Sequence, residues 1–408
     1  MKRITLEQLP AVLSGLPDNP RVVASGNLAT PRAILGATDL ALERYVLNML
    51  NAQCELPDRE GVTYETVFVG PGMRKSSRLK YIPCRLSLVP VLFQRIMRPD
   101  LVLIQTSAPH NNSVSLGIEV TVMPAALEAC RAGGGIVIAQ ANSNMPYTYG
   151  DGILHADEID YLVEVDEEVP THASPPPDDV SRQIADRIAA LVSDGCTLQA
   201  GVGAVPDAVM SGLTEHKGLR VWSETFSDGV LDLERRGRTD DSVPLTASFL
   251  TGSRELYDWV HLNRRAKMLR TESTNAPGRI AGQRAMTSIN GALQVDLLAQ
   301  ANASRIGEHV FSGFGGSTDF IVGALHSPGG AAYITLPSWH AKANVSTIVP
   351  LISQPVTSFQ HSAIVTEQGL AHVFGCSEHE QTRNIISQAA HPSARDELWA
   401  AARALWRA

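Results

Sequence analysis

The chain lacks any run of 18 apolar residues, which excludes a conventional membrane-spanning helix. Its first residues, MKRITLEQLPAVL, lack an apolar stretch of signal-peptide length, so the expectation is a cytoplasmic protein with no membrane attachment. A basic excess is also missing: 34 Lys and Arg stand against 42 Asp and Glu, a net charge of -8, so nucleic acid is not an expected partner. Cysteine is scarce. The five, Cys54, Cys84, Cys130, Cys196 and Cys376, are odd in number and widely spaced, which excludes a disulfide framework and fits a reducing compartment. No Cys-x-x-Cys pair occurs, and Cys376 with His379 has no obvious second pair of ligands, so no metal is expected. Aromatics are only 5% of residues.

What is present is ordinary for a globular α/β protein. Hydrophobic residues make up 44% and charged residues 19%, with 32 Gly and 24 Pro to punctuate turns. The length of 408 residues favours about two domains. The clearest seam is THASPPPDDV, where Pro175 to Pro177 forbid a helix and Asp178 and Asp179 then signal the start of one. The division this predicts is an N-terminal domain over 1–174 and a C-terminal domain over 178–408.

Strand and helix patterns alternate on both sides of the seam. RVVASGN at 21–27, the apolar run LVLIQTS at 101–107 and IVIAQAN at 136–142 read as strands. A helix is predicted from Pro31 to about Leu50, and another over 124–132, stopped by Gly133 to Gly135. In the second half, 197–201, 220–224, 332–337 and 346–352 read as strands, and PDAVMSGL, SDGVLDLERRG and 392–406 as helices. The fold class is therefore α/β, two open domains with mostly parallel sheets.

Three segments of the second half carry potential chemistry. Gly201-Val202-Gly203-Ala204-Val205 follows a strand and opens a helix, so its backbone can approach an anionic ligand closely. Taken alone it is equally an ordinary strand-to-helix turn. Glu224, in Trp222-Ser223-Glu224-Thr225-Phe226-Ser227-Asp228, ends a predicted strand, where ligands gather in parallel sheets. A carboxylate there is a nucleophile, a general base or a capping partner, and the capping role belongs more naturally to Ser227 or Asp228. Ser312-Gly313-Phe314-Gly315-Gly316 could form an anion-binding nest or a plain turn.

In order and spacing the three segments resemble the acetyl-CoA hydrolase/transferase family of glutamate-dependent CoA-transferases, which includes 4-hydroxybutyrate and acetate CoA-transferases. Further blocks support the likeness: Asp319-Phe320 after the glycine loop, Leu336-Pro337-Ser338, Val365-Thr366-Glu367-Gln368-Gly369 and His391-Pro392. In the first half, Ser115-Leu116-Gly117, Met145-Pro146 and Gly150-Asp151 fall where the family has similar blocks. The chain departs from the family pattern at Gln368, usually Tyr, at Ser358 and Gln360, usually an Arg-x-Asp pair, and at Trp339 to Ala343, usually a small Gly-rich loop.

The resemblance implies a CoA-transferase-like fold and transfer of CoA from an acyl-CoA to a small carboxylic acid, with Glu224 as nucleophile. It assigns oxyanion stabilisation to Val202, Gly315 and Gly316, and substrate contacts to Gly201, Val202, Gly203, Ala204, Val205, Ser312 and Gly316. It implies a homo-oligomer in which coenzyme A is a substrate and no cofactor is needed. Hydrolysis of an acyl-CoA by the same Glu, or acyl-CoA binding without catalysis, are the alternatives.

Overall fold

In the computed structural model, residues 1–172, 176–201, 203–358 and 360–406 are described, so Pro175 and Val202 lie outside the described residues. The chain groups into two compact units, both discontinuous in sequence. The first is Met1–Ala173, Pro244–Thr274 and Val310–Gly315; the second is Ser174–Val243, Asn275–His309 and Gly316–Ala408. An unbroken C-terminal domain over 178–408 is thus corrected. The reason is strand pairing: Ala266–Met268 runs parallel to Tyr149–Gly150 on one side and to Leu245–Ala247 on the other.

The first unit is built on eight strands: β1 (Lys2–Arg3), β2 (Arg21–Ala24), β3 (Tyr45–Met49), β4 (Val62–Thr66), β5 (Leu79–Tyr81), β6 (Leu101–Ser107), β7 (Ile136–Asn142) and β8 (Tyr161–Val165). Their order across the sheet is β1-β8-β7-β6-β2-β3-β4-β5, and every pairing is parallel. LVLIQTS is buried at all seven positions, as a strand covered on both faces must be. Helix α1 (Arg32–Ala41) is shorter than predicted, because residues 45–49 form β3 instead of continuing the helix. Tyr-Val-Leu-Asn-Met is buried at every position, and an interior strand accommodates such a run where a one-sided surface helix does not. Helix α2 (Met123–Ala132) carries Pro124 in its first turn and is followed by Gly133 as its C-cap.

The second unit centres on six strands: β9 (Thr197–Ala200), β10 (Arg220–Val221), β11 (Met286–Gly291), β12 (Ala331–Thr335), β13 (Ala363–Val365) and β14 (Leu370–His372). Their order is β10-β9-β11-β12-β13-β14, parallel except for the β13–β14 hairpin. Helix α3 (Asp179–Ala189) is capped by Asp178, whose carboxylate accepts the Ser181 N–H at 2.7 Å. The segment 346–352 differs from its predicted strand. Val345–Ser346 pairs with Trp339–His340, and Ile348–Val349 pairs with Gln294–Asp296, both outside the main sheet. From β9 the chain goes to one neighbour, β10, and later returns on the other side as β11. The topological switch point, where open parallel sheets bind ligands, therefore lies between the carboxyl ends of β9 and β11.

Gly150 shows how the first unit holds its distant segments together. Its φ is +131°, and a Cβ there would overlap the carbonyl oxygen of Met268. Its neighbour Asp151 accepts the Arg270 N–H at 3.0 Å. Gly150→Ala is expected to destabilise the protein by roughly 2 kcal/mol or more, read as a lowered denaturant midpoint.

Candidate active site

Glu224 does not end a strand, as the sequence predicts, but lies three residues past β10 in a bend. Two contacts keep that bend beside β9: the Trp222 N–H donates to the Leu198 carbonyl at 3.1 Å, and the Ser223 hydroxyl donates to the Ala200 carbonyl at 3.3 Å. Helix α5 (Asp228–Arg235) follows, with Ser227 at its N-cap position. The Ser227 hydroxyl nevertheless donates to Asp207 at 3.0 Å and does not cap the helix. Glu224 takes no capping duty either.

The side chain of Glu224 is partly buried and meets Asn275 and Gly316. Asn275, fully buried, donates from Nδ2 to Glu224 Oε2 at 2.8 Å. The backbone of Gly316, the N-cap residue of helix α6 (Ser317–His326), lies so close that a Cβ there would overlap Glu224 Oε2 and Asn275 Nδ2. Asp319, also fully buried, stands in the first turn of the same helix. Burial pushes the Glu224 carboxyl up to about 7; the Asn275 hydrogen bond pulls it down, and the negative charge of Asp319 adds to the rise.

The predicted ligand loop stands at the switch point. The Gly201 N–H donates to the Ile289 carbonyl at 2.9 Å, which ties the end of β9 to β11. Gly203, with φ +137°, opens helix α4 (Ala204–Gly212). Val205 is a buried core side chain, so only its backbone is available to a ligand. The assignment of Val202 falls outside the described residues. Ser312 and Gly315 belong to the first unit: the Ser312 carbonyl accepts the Val69 N–H at 2.7 Å, and the Gly315 carbonyl accepts that of Leu86 at 2.9 Å. Of the expected site residues, the second unit contains Gly201, Gly203, Ala204, Val205, Glu224 and Gly316, and the direct contact is that of Gly316 with Glu224.

Behind the loop is a buried neutral network. The Ser288 hydroxyl donates to Gln199 Oε1 at 2.6 Å, and Gln199 and Asn290 exchange two hydrogen bonds of 3.1 Å. Farther along the strand ends, Glu367 accepts from the Ser338 N–H at 2.8 Å, from the Ser338 hydroxyl, and from Gln368 Nε2 at 3.1 Å. Burial alone would raise the Glu367 carboxyl, but these donors outweigh it and hold it below the ordinary range. Sequence reasoning missed Asn275 and Gln199. Asn275 sits in Thr-Asn-Ala-Pro just before a proline-led helix, where an Asn reads as a turn residue.

A carboxylate placed beyond the strand ends of a parallel α/β unit, against the N-terminal cap of a helix, is suited to nucleophilic or acid–base chemistry. Residues 25–173 match the acetyl-CoA hydrolase/transferase N-terminal domain, and residues 252–402 match the corresponding C-terminal domain. A 4-hydroxybutyrate coenzyme A transferase of Clostridium kluyveri is 37% identical over 350 residues, 82% of this chain and 80% of that protein. An acetyl-CoA hydrolase of Saccharomyces cerevisiae is 32% identical over 240 residues, 53% of this chain and 44% of that protein. Among solved structures, RipA from Yersinia pestis superposes with a TM-score of 0.91 at 27% identity, covering 99% of this chain and 97% of that one. The chain belongs to the acetyl-CoA hydrolase/transferase family and is an enzyme.

The packing of Gly316 against Glu224 makes the site sensitive to a single methyl group. Gly316→Ala is expected to displace the carboxylate and lower turnover by about two orders of magnitude, with far-UV circular dichroism unchanged. If Glu224 reacts as an anion, kcat/KM will fall on the acid side with a midpoint near 7, read from a pH–rate profile.

Proposed function

We propose that the enzyme moves CoA from an acyl-CoA to a free carboxylic acid through a covalent glutamyl-CoA intermediate on Glu224. The observation that supports this most directly is the Glu224 carboxylate itself, desolvated, held by Asn275 and pressed against the N-cap of α6. In this reading Glu224 attacks the thioester carbonyl, the C–S bond breaks and CoA leaves as thiolate. The thiolate then attacks the glutamyl carbonyl of the mixed anhydride and expels the first acid. The acceptor acid reverses both steps, which gives ping-pong kinetics.

Each attack develops an oxyanion. Backbone N–H groups at the start of α6 and in the loop after β9 are the economical donors, and loss of one such donor costs about 3–4 kcal/mol of transition-state stabilisation. Work in the cytoplasm, as a homo-oligomer and with no resident metal or cofactor, belongs to the same reading. Hydrolysis is the second reading, since acetyl-CoA hydrolases are among the relatives and the same anhydride is open to water. The two differ in whether the site excludes water while the anhydride exists.

A panel of acyl-CoAs, supplied with and without free acetate or succinate and followed by mass, separates them. A new acyl-CoA shows transfer; free CoA alone shows hydrolysis. Borohydride added with acyl-CoA is expected to reduce the glutamyl thioester and mark the peptide from Trp222 to Gly229. Glu224→Gln should abolish both the label and turnover, and undiminished activity in that variant would refute the mechanism.

A further inference from the structure

The first unit has a switch point of its own. Its strands β3-β2-β6-β7-β8 lie in the same order as β10-β9-β11-β12-β13 of the second unit, and all of them are parallel. The Ser25 N–H donates to the Leu103 carbonyl at 3.0 Å, as the Gly201 N–H donates to that of Ile289. The loop after β2 is therefore the first unit's counterpart of the loop after β9, at the place where open parallel sheets gather ligands. Its backbone is tightly held: a Cβ at Gly26 would overlap the Leu50 carbonyl oxygen, which accepts the Asn27 N–H at 3.1 Å. Asn27 and Asn51 stand there with φ of +46° and +49°, a conformation that residues with a side chain rarely adopt and that clusters at functional sites.

These two residues belong to a chain of hydrogen bonds that runs in one direction. Gln53 donates from Nε2 to Asn51 Oδ1 at 2.8 Å, Asn51 from Nδ2 to Asn27 Oδ1 at 2.7 Å, and Asn27 from Nδ2 to Glu119 Oε2. Glu119 and Asn27 are buried, Asn51 is half-buried and Gln53 is exposed. Each amide NH2 of the chain donates inward, so the outer end is a carbonyl oxygen, Gln53 Oε1. Hydrogen bonds in series polarise one another, which makes that oxygen a better acceptor than an isolated amide's. The complement of such an end is an uncharged donor. Ionised phosphates and carboxylates offer only acceptor oxygens, and the chain holds no cation to receive them. One exposed acceptor also suits one donor on a small molecule better than it suits the long pantetheine arm of CoA with its two amides. We propose that Asn27, Asn51 and Gln53 determine specificity for the carboxylic acid: the first unit's switch point selects acids that carry a hydroxyl remote from the carboxylate, over aliphatic acids and dicarboxylates of equal size. The inference rests on the reading that a free carboxylic acid is a substrate.

The test is a ligand-observed NMR titration of the resting enzyme with ω-hydroxy acids of three to five carbons, their methyl isosteres, and dicarboxylates of the same carbon count. At the chain length that fits, the hydroxy acid should bind roughly 3- to 10-fold more tightly than its isostere, the worth of one hydrogen bond, and the dicarboxylate should bind most weakly. In Gln53→Met the hydroxy acid should lose that advantage. In Gln53→Lys, which replaces the acceptor by a cation, the dicarboxylate should become the tightest of the three. Asn51→Gly keeps the left-handed backbone but cuts the chain, and should reduce the ratio by roughly 2- to 3-fold. Gln53 is exposed, so its replacement leaves the core untouched, and a ratio between ligands cancels any general loss of folded protein. Equal affinities of hydroxy acid and isostere at every chain length, or a ratio unmoved in Gln53→Met, would overturn the proposal. A weakened affinity for CoA in Gln53→Met with acid affinities unchanged would overturn it too, and would assign the switch point to the pantetheine arm. The titration needs no turnover. Failure of the transferase reading shows separately, as free CoA alone in the acyl-CoA panel, and the same ratios then decide the proposal for the acid as a product of hydrolysis.

Discussion

The close approach of a helix N-cap to a carboxylate is the constraint on which the rest of the site depends. Only a residue without a side chain fits at Gly316, since any Cβ would occupy the space of Glu224 Oε2 and Asn275 Nδ2. Taking a carboxylate out of water is costly unless its oxygens are hydrogen-bonded. Asn275 meets part of that demand, and Asp319 works against it. The result is a carboxyl group whose ionised form is disfavoured and whose place is fixed by the scaffold around it. The parallel sheet and the two contacts from residues 222 and 223 to β9 supply that rigidity.

The strand ends beyond Glu224 are ordered by polar groups that satisfy one another. Gln199, Ser288 and Asn290 form a closed neutral set between β9 and β11, and Glu367 fastens Ser338 through its hydroxyl and amide. Groups so engaged need little reorientation when substrate arrives, the condition for electrostatic preorganisation. Gln368 stands where the family usually has Tyr, and its amide donates to Glu367 alongside Ser338.

Parallel α/β architecture was legible in the sequence because buried strands such as 101–107 are continuous apolar runs bounded by turn residues. Residues 45–49 were not, because an apolar run directly after an amphipathic helix has no break that distinguishes its continuation from a strand. Glu224 and Gly316, which the structure brings into contact, were singled out in the sequence by motif order and spacing. Asn275 was not, since its role arises from a contact 51 residues away in sequence, which no local pattern encodes. The discontinuity of the two units was likewise hidden. It depends on the parallel pairing of residues 149–150 with residues 267–268, and short strands so far apart in sequence leave no mark on either segment.

That discontinuity bears on the order of events during synthesis. The first unit includes Val310–Gly315, where Ser312 accepts the Val69 N–H and Arg74 donates to the Phe311 carbonyl at 2.9 Å. A ribosome must therefore translate most of the chain before the first unit receives its last segment. Until then, the Val69 N–H lacks the Ser312 carbonyl and Arg74 lacks the Phe311 carbonyl. The amino-terminal part of this enzyme is made first but completed late.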